Sequence, residues 1–447
     1  MKKNVLAVSI ASALSFMAME RAHAAGFALY EQGISGMGNA YAGAAAVAED
    51  ATTVWWNPAG MSRLPKGMNI AVGGAAIMPS WKFSDKGSVA ALGQPLGGNG
   101  GDAGDTAFVP SAFFAMSLNP AWSFGVGISV PFGLKTEYDP SWLGRFQGIK
   151  SEVQTVNVNP AVSYKLSDAV SLGFGVNYQR GKVDLTTAAN YTAAGAAVPP
   201  ALGGPIPIAP GTEGQNKTSL DGDAWGFNIG ALFNVAPATR VGVHYRSQLD
   251  YSLDGDTSFS NRPASLGAVL PDGNVKLDLK TPDSLAVSAA HRINDQLELL
   301  ADVTWWHWSV IKTQPVVRTD GAQNGRTLSN LTFNFDDTYR LSIGANYKLS
   351  QPWTLKVGLA YDQTPVPNAE SRTVRLPDSD RYWLSFGAKY QASRNDVIDI
   401  GYVYIKASDA DINNVQNNPA AGQANGNVIG SYKASVNVFG LQYQHTF

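Results

Sequence analysis

From about residue 67 to the end of the chain, apolar and polar positions alternate with a period of two, the pattern of strands with one apolar face. It is cleanest near the C-terminus. Over 339–349, Tyr339, Leu341, Ile343, Ala345, Tyr347 and Leu349 share one face, and Arg340, Ser342, Gly344, Asn346 and Lys348 the other. Over 353–362, Trp353, Leu355, Val357, Leu359 and Tyr361 alternate with Thr354, Lys356, Gly358, Ala360 and Asp362. Over 381–390, Tyr382, Leu384, Phe386, Ala388 and Tyr390 alternate with Arg381, Trp383, Ser385, Gly387 and Lys389.

Each stripe carries two aromatics eight residues apart: Tyr339 and Tyr347, Trp353 and Tyr361, Tyr382 and Tyr390. At about 3.3 Å per residue and a tilt near 45°, that spacing rises roughly 19 Å, most of a lipid-facing band of about 25 Å. The three stripes carry no charge, which would cost about 2–4 kcal/mol at the bilayer midplane. A soluble sandwich also alternates, but nothing in it requires aromatics at this repeated spacing.

Read throughout, the pattern predicts fourteen strands, near 68–83, 107–118, 121–137, 151–166, 169–187, 217–235, 239–255, 275–292, 296–311, 332–349, 353–363, 381–391, 396–409 and 431–447. Short connections at 119–120, 167–168, 236–238, 293–295, 350–352 and 392–395 alternate with longer ones rich in Gly, Pro, Asn and Asp. Short periplasmic turns and long outer loops mark an outer-membrane barrel. The expected fold class is all-β: a 14-stranded antiparallel transmembrane β-barrel with both ends on the periplasmic side.

Residues 25–64 break the alternation and are rich in Gly and Ala. By themselves they fit a short helical subdomain of a soluble protein equally well. Ahead of a barrel they read as a hatch in the lumen, where small residues allow close backbone packing. The expected division is a signal peptide at 1–24, a hatch at 25–66 and the barrel at 67–447. Asn57-Pro58-Ala59 reads as a turn within the hatch. Lys2-Lys3, the apolar stretch from Val5 to Met19 and the small-x-small Ala22-His23-Ala24 form a cleavable export signal, with Ala25 the expected first mature residue.

Composition narrows the class. Charged residues make up 15%, the net charge is −2, and cysteine is absent. That excludes a disulfide scaffold and thiolate chemistry, and gives no nucleic-acid footprint. The last strand carries Phe439, Leu441, Tyr443 and a terminal Phe447.

Several segments together resemble the FadL family of outer-membrane transporters for long-chain fatty acids and other hydrophobic compounds. They are AGFALYE at the expected mature start, Asn57-Pro58-Ala59, AWSFGVGISVPFGLKTEYD at 121–139, WGFNIGALF at 225–233, HYRSQLDYSLDGD at 244–256, DDTYRLSIGANY at 336–347 and PVPNAESRTVRLPDSDRYWLSFGAKY at 365–390. Their order covers essentially the whole mature chain. The resemblance implies a fourteen-stranded barrel with a hatch, in agreement with the strand count.

It also implies sites. Pro131, Phe132 and Gly133 interrupt the third strand. Taken alone they are a bulge that curves the wall; the resemblance implies a lateral opening towards the membrane. The uncharged loop at 188–212 carries Val198, Leu202, Ile206 and Ile208, and the next long loop Leu266, Val269 and Leu270. These are expected to form an outer capture groove, or else a lid of loops packed together. Phe27 is the expected pocket residue beside the hatch. Relatives that bind fatty acids hold the carboxylate with basic residues, but Leu331-Thr332-Phe333-Asn334-Phe335, ahead of the DTYR segment, has none. Arg180, Lys182, Arg246 and Arg340 remain as substitutes, and a neutral substrate stays open.

Catalysis is not expected. His244, His291, His307 and His445 lie on different strands without metal-ligand spacing, and no metal or cofactor is expected. The expected function is passive transport of hydrophobic compounds, foremost long-chain fatty acids, with neutral aromatic hydrocarbons as the alternative and a general porin or a lipid-directed barrel enzyme as weaker rivals. The expected partners are hydrophobic small molecules, outer-membrane lipids, and the barrel assembly machinery through the strand ending at Phe447. A monomer is expected, with no nucleic-acid partner.

Overall fold

The computed structural model describes residues 26–198, 200, 203–417 and 424–447. The expected signal peptide, Ala25 and Leu202 lie outside these residues. The strands, in chain order, are β1 (Met68–Asp85), β2 (Ala107–Ser117), β3 (Trp122–Ser129 and Gly133–Glu137), β4 (Lys150–Lys165), β5 (Val170–Asn190), β6 (Glu213–Ala236) and β7 (Thr239–Arg246 and Leu249–Phe259). They continue as β8 (Gly273–Thr281 and Ser284–Arg292), β9 (Leu297–Trp306 and Thr313–Arg318), β10 (Thr327–Thr332 and Thr338–Lys348), β11 (Trp353–Asp362), β12 (Arg381–Gln391), β13 (Asp396–Ala407 and Ala410–Gln416) and β14 (Gly426–Thr446). Neighbours in sequence pair antiparallel, and β14 closes the ring on β1 from Asn69↔Thr446 to Asp85↔Gly430. The result is a closed fourteen-stranded antiparallel barrel.

The alternation sorts the faces as expected. Ile343, Leu359 and Phe386 are exposed on the outside, whereas Arg340, Ser342 and Trp383 are buried inside. Aromatics pair across strands at both edges of the apolar band: Tyr361 with Tyr382 at 5.4 Å between ring centres, and Trp353 with Tyr390 at 4.6 Å. At the long-loop end, β5 and β6 run beyond the belt formed by Tyr178 and Trp225 (4.9 Å). Their outer surface there is charged, with Lys182 2.8 Å from Asp184 and Arg180 3.7 Å from Asp223.

Besides β3 and the two-residue breaks in β7, β8 and β13, two expected strands are broken over longer stretches where the sequence pattern ran straight through. β9 leaves the ladder after Trp306, and β10 is interrupted between Thr332 and Thr338. At these breaks Trp308, Ile311 and Phe335 turn inward and are buried in one cluster. Burying those side chains replaces ladder pairing.

Residues 26–63 form short turns rather than long elements: 3-10 turns at Met37–Asn39 and Pro58–Arg63, and four-residue helices at Ala44–Val47 and Thr53–Trp56. They are ringed by inward glycines of the wall. A Cβ on Gly242 of β7 would lie 1.9 Å from the Ala45 carbonyl oxygen, and one on Gly173 of β5 would lie 2.2 Å from the Ala59 nitrogen. A Cβ on Gly358 of β11, Gly387 of β12 or Gly440 of β14 would lie 2.2, 2.7 and 2.7 Å from Asn39, Gly38 and Ile34. The wall is therefore bare backbone where the segment packs, and the segment occupies the lumen.

Candidate functional site: the hatch, the wall break and the cavities between them

Asn57 ties the hatch together. Its Nδ2 donates to the carbonyls of Ala45 (2.8 Å) and, on β6, Ala231 (3.0 Å). Its Oδ1 accepts from the Ala59 N–H (3.1 Å), which caps the turn that Pro58 begins. Pro58 suits that first position because its missing N–H would be unpaired there anyway. A second fastening is ionic. Lys356 of β11 lies 2.7 Å from Glu49, and Lys389 of β12 pairs with the same carboxylate. Burial would raise the Glu49 carboxyl, but the two ammonium groups hold it down at about 2.

The third strand leaves the wall where Pro131, Phe132 and Gly133 stand. Pairing between β2 and β3 ends at Ala112↔Ile128, although β2 runs on to Ala107 against β1. The second piece of β3 pairs with β4, from Gly133↔Gln154 to Glu137↔Lys150. Between the pieces the chain pairs with the hatch instead. Leu29 donates to the Pro131 carbonyl (2.8 Å), Gly133 donates to the Phe27 carbonyl (2.8 Å), and Ala28 bridges Phe132. Thr155 of β4 holds the turn from behind: its Oγ1 accepts from the Phe132 N–H (3.0 Å) and donates to the Phe132 carbonyl (2.8 Å). Pro131 has no N–H to offer β2, and Pro110 of β2 borders the opening, as proline does on strand edges.

Phe27 is buried at this junction. Its ring stands 5.0 Å from Trp308, edge to face, and 5.7 Å from Phe132. Trp308 in turn packs edge-on against Phe335 at 5.9 Å. Beside Phe27 lies a narrow space lined by Val183, Tyr251, Leu253 and Leu279. Thr281 also borders a second narrow space, with Phe132, Asn177, Leu249 and Arg246. Arg246 also borders a third, with Tyr30, Trp55, Trp56 and Asp302. The three spaces are separate and neighbour one another through Thr281 and Arg246.

The four candidate bases separate by position. Arg180 and Lys182 point outward and pair with acids of the outer wall. Arg340 is sealed under the hatch, its guanidinium 4.1 Å from the Tyr30 ring centre, and it donates to the Ala40 carbonyl (2.9 Å). Arg246 is buried and faces the cavities. Its guanidinium carbon sits 3.4 Å from a Trp55 ring centre, and it donates to the Trp55 carbonyl (2.9 Å) and to Asn177.

The loop residues gather as well. Val198 and Leu266 are buried together with Tyr191, and Ile206, Ile208, Val269 and Leu270 pack half-buried on the same cluster. The two loops meet over apolar contacts, with part of that surface facing out. Among the described residues, no three His, Asp or Glu side chains are placed to hold a metal ion.

Sequence reading missed Trp308, Phe335 and Glu49. The first two lie in strands that looked continuous, and Glu49 in a segment without period. Arg246 had a usable signal: it shares the inward parity of β7 with His244.

The profile of the family described as outer membrane protein transport protein (OMPP1/FadL/TodX) matches residues 15–447. The long-chain fatty acid transport protein of Escherichia coli is 29% identical over 440 residues, covering 92% of this chain and 93% of that protein. The crystal structure of a Pseudomonas aeruginosa FadL homologue superposes with a TM-score of 0.85 at 26% identity, over 95% of this chain and all of that one. The Pseudomonas putida toluene transporter TodX shares the fold, with a TM-score of 0.67 at 19% identity over 95% of this chain and 100% of that one.

Proposed function

Because the chain belongs to the outer membrane protein transport family that includes FadL and TodX, we propose that it is a passive channel for hydrophobic compounds, foremost long-chain fatty acids. It is an outer-membrane protein of a transporter family, not an enzyme family. Capture begins on the apolar loop surface around Ile206, Ile208, Val269 and Leu270. The molecule then enters the cavity beside Phe27 and leaves sideways between β2 and β3, past Pro131, Phe132 and Gly133, into the bilayer. An acyl chain gains about 0.8 kcal/mol for each CH₂ kept out of water, so a route that never returns it to water needs no further energy source.

The observation that carries this reading is the pairing of Phe27–Leu29 with Pro131–Gly133. The mouth of the wall break and the wall of the apolar cavity are one structure, so movement of residues 26–29 bears on both. Neutral aromatic hydrocarbons are the second reading, favoured by the apolar lining of the Phe27 cavity by Val183, Leu253 and Leu279.

The test is displacement of a fluorescent long-chain fatty acid from the detergent-folded protein. Displacement by oleate supports the first reading, and displacement by toluene alone moves the substrate to aromatic hydrocarbons. Displacement by neither, or no probe binding, refutes the proposal.

A further inference from the structure

We infer that the break between β8 and β9 is a second side opening of the lumen, shut by Trp308 and Ile311, through which a long-chain amphiphile passes between the space beside Phe27 and the outer leaflet. The inference rests on the transport reading above and adds a route to it. Three observations carry it.

The first is the seam. β8 and β9 pair from Val275↔Arg318 to Leu277↔Val316, and again from Ser284↔Trp306. Between these points Asp278–Asp283 stand opposite His307–Pro315, and the His307 N–H donates to the Asp283 carbonyl (3.0 Å) at the lower end. Each side carries a proline, Pro282 and Pro315, as Pro110 and Pro131 flank the break between β2 and β3. Proline has no N–H to offer a ladder. The seams to either side are held better. β7 stays paired with β8 up to Thr281↔Leu249, and the N–H groups of Phe333 and Phe335 donate to the carbonyls of Lys312 and Ile311.

The second is level. The lipid-facing stripe of Leu299 and Val303 on β9 ends in Trp305, which stacks on His307 at 5.3 Å between ring centres. The break begins there, at the long-loop edge of the apolar band, and the exposed Asp278, Lys280 and Lys312 flank it. Unpaired backbone is tolerated at that level and not deeper, where hydrocarbon offers no partner. A polar head can stay among lipid head groups there while its tail changes sides.

The third is what lies behind the break. Leu279 and Thr281, on the stretch of β8 that β9 leaves, line the space beside Phe27. Trp308 and Ile311 are buried in the gap and close it by packing. The hatch tip holds Trp308 in place: Phe27 stands edge-on to it at 5.0 Å, and a Cβ on Gly26 would lie 2.7 Å from its ring. Phe132, at the other break, is 5.7 Å from the same Phe27 ring. Movement of residues 26–27 therefore loosens both closures.

The chain has no cysteine, so a staple can be placed without ambiguity. Asp283→Cys with His307→Cys spans the break where the native side chains meet at 2.8 Å. Tyr361→Cys with Tyr382→Cys spans the intact β11–β12 ladder as the control. The full-length protein is loaded with cis-parinarate, a fluorescent long-chain fatty acid, and reconstituted into vesicles whose lipids carry a quencher. The rate of release into the bilayer is then read with each staple oxidised and reduced. Closing the β8–β9 staple is expected to slow release about threefold or more, reversibly, with affinity in detergent kept within about twofold. The control staple is expected to leave release unchanged. Ile311→Ala, which thins the closure and keeps the Phe27–Trp308 contact, is expected to speed release about threefold. Release unaltered by both the closed β8–β9 staple and Ile311→Ala would overturn the inference, as would equal slowing by the control staple. A wild type that binds no probe would instead fail the transport reading, and the inference with it.

Discussion

Gly133 donates its backbone N–H to the Phe27 carbonyl at 2.8 Å, which joins the re-entry of the kinked strand to the tip of the hatch. Neither segment completes its hydrogen bonding alone there. Displacing one frees backbone groups of the other, so the apolar cavity and the wall break respond together.

Thr155 is the support for this arrangement. Thr155→Val keeps the shape but removes the bonds to both the N–H and the carbonyl of Phe132. Leaving a buried backbone group unpaired costs about 1–3 kcal/mol. Amide exchange at Phe132 and Gly133 should accelerate roughly 10- to 100-fold, while that of the β11–β12 ladder stays unchanged.

Phe27→Ala removes the ring that packs on Trp308 and Phe132. Truncating a buried Phe costs about 3–5 kcal/mol, and here the loss falls on the docking of residues 26–30 rather than on the closed barrel. Limited proteolysis should cut within 26–33 in the variant and not in the wild type, with the barrel fragment intact in both.

Asn57→Ala removes the side-chain donor to the carbonyls of Ala45 and Ala231 and uncaps the turn at Pro58. The expected loss is about 1–3 kcal/mol for each buried group left unpaired. Single-channel recording should then show transient openings that the wild type lacks.

The Glu49 fastening carries a pH dependence. Its carboxyl is held at about 2 in the folded protein by Lys356 and Lys389, against about 4.3 in an unfolded chain. The contribution is fully present above about pH 4.3 and is lost as pH falls through about 2. Hatch exchange should be flat from pH 7 to 5 and rise below pH 4. Glu49→Gln should show the acid behaviour already at neutral pH, because Lys356 is then left buried beside Asp399 alone among its acid partners (3.4 Å).

The barrel was legible because lipid on one side and a packed lumen on the other enforce a period of two, as in the stripe Tyr339–Tyr347. The broken strands were not. Trp308 and Phe335 keep strand-like sequence around them and depart only because Phe27, some three hundred residues earlier, offers a buried partner. The wall break was visible in Pro131 and Gly133, but its pairing with Phe27 and Leu29 is a long-range contact that no local pattern encodes. For the bases, parity places Arg246 inside, yet Arg340 has the same inward parity; only the cavities distinguish them.

The most direct test of the transport account is entry of radiolabelled oleate into bacteria that lack their own carrier and express this chain, measured beside entry of a small sugar. The account predicts faster oleate entry with no change for the sugar, since the hatch fills the lumen. Unchanged oleate entry, or equal acceleration of both solutes, would contradict it.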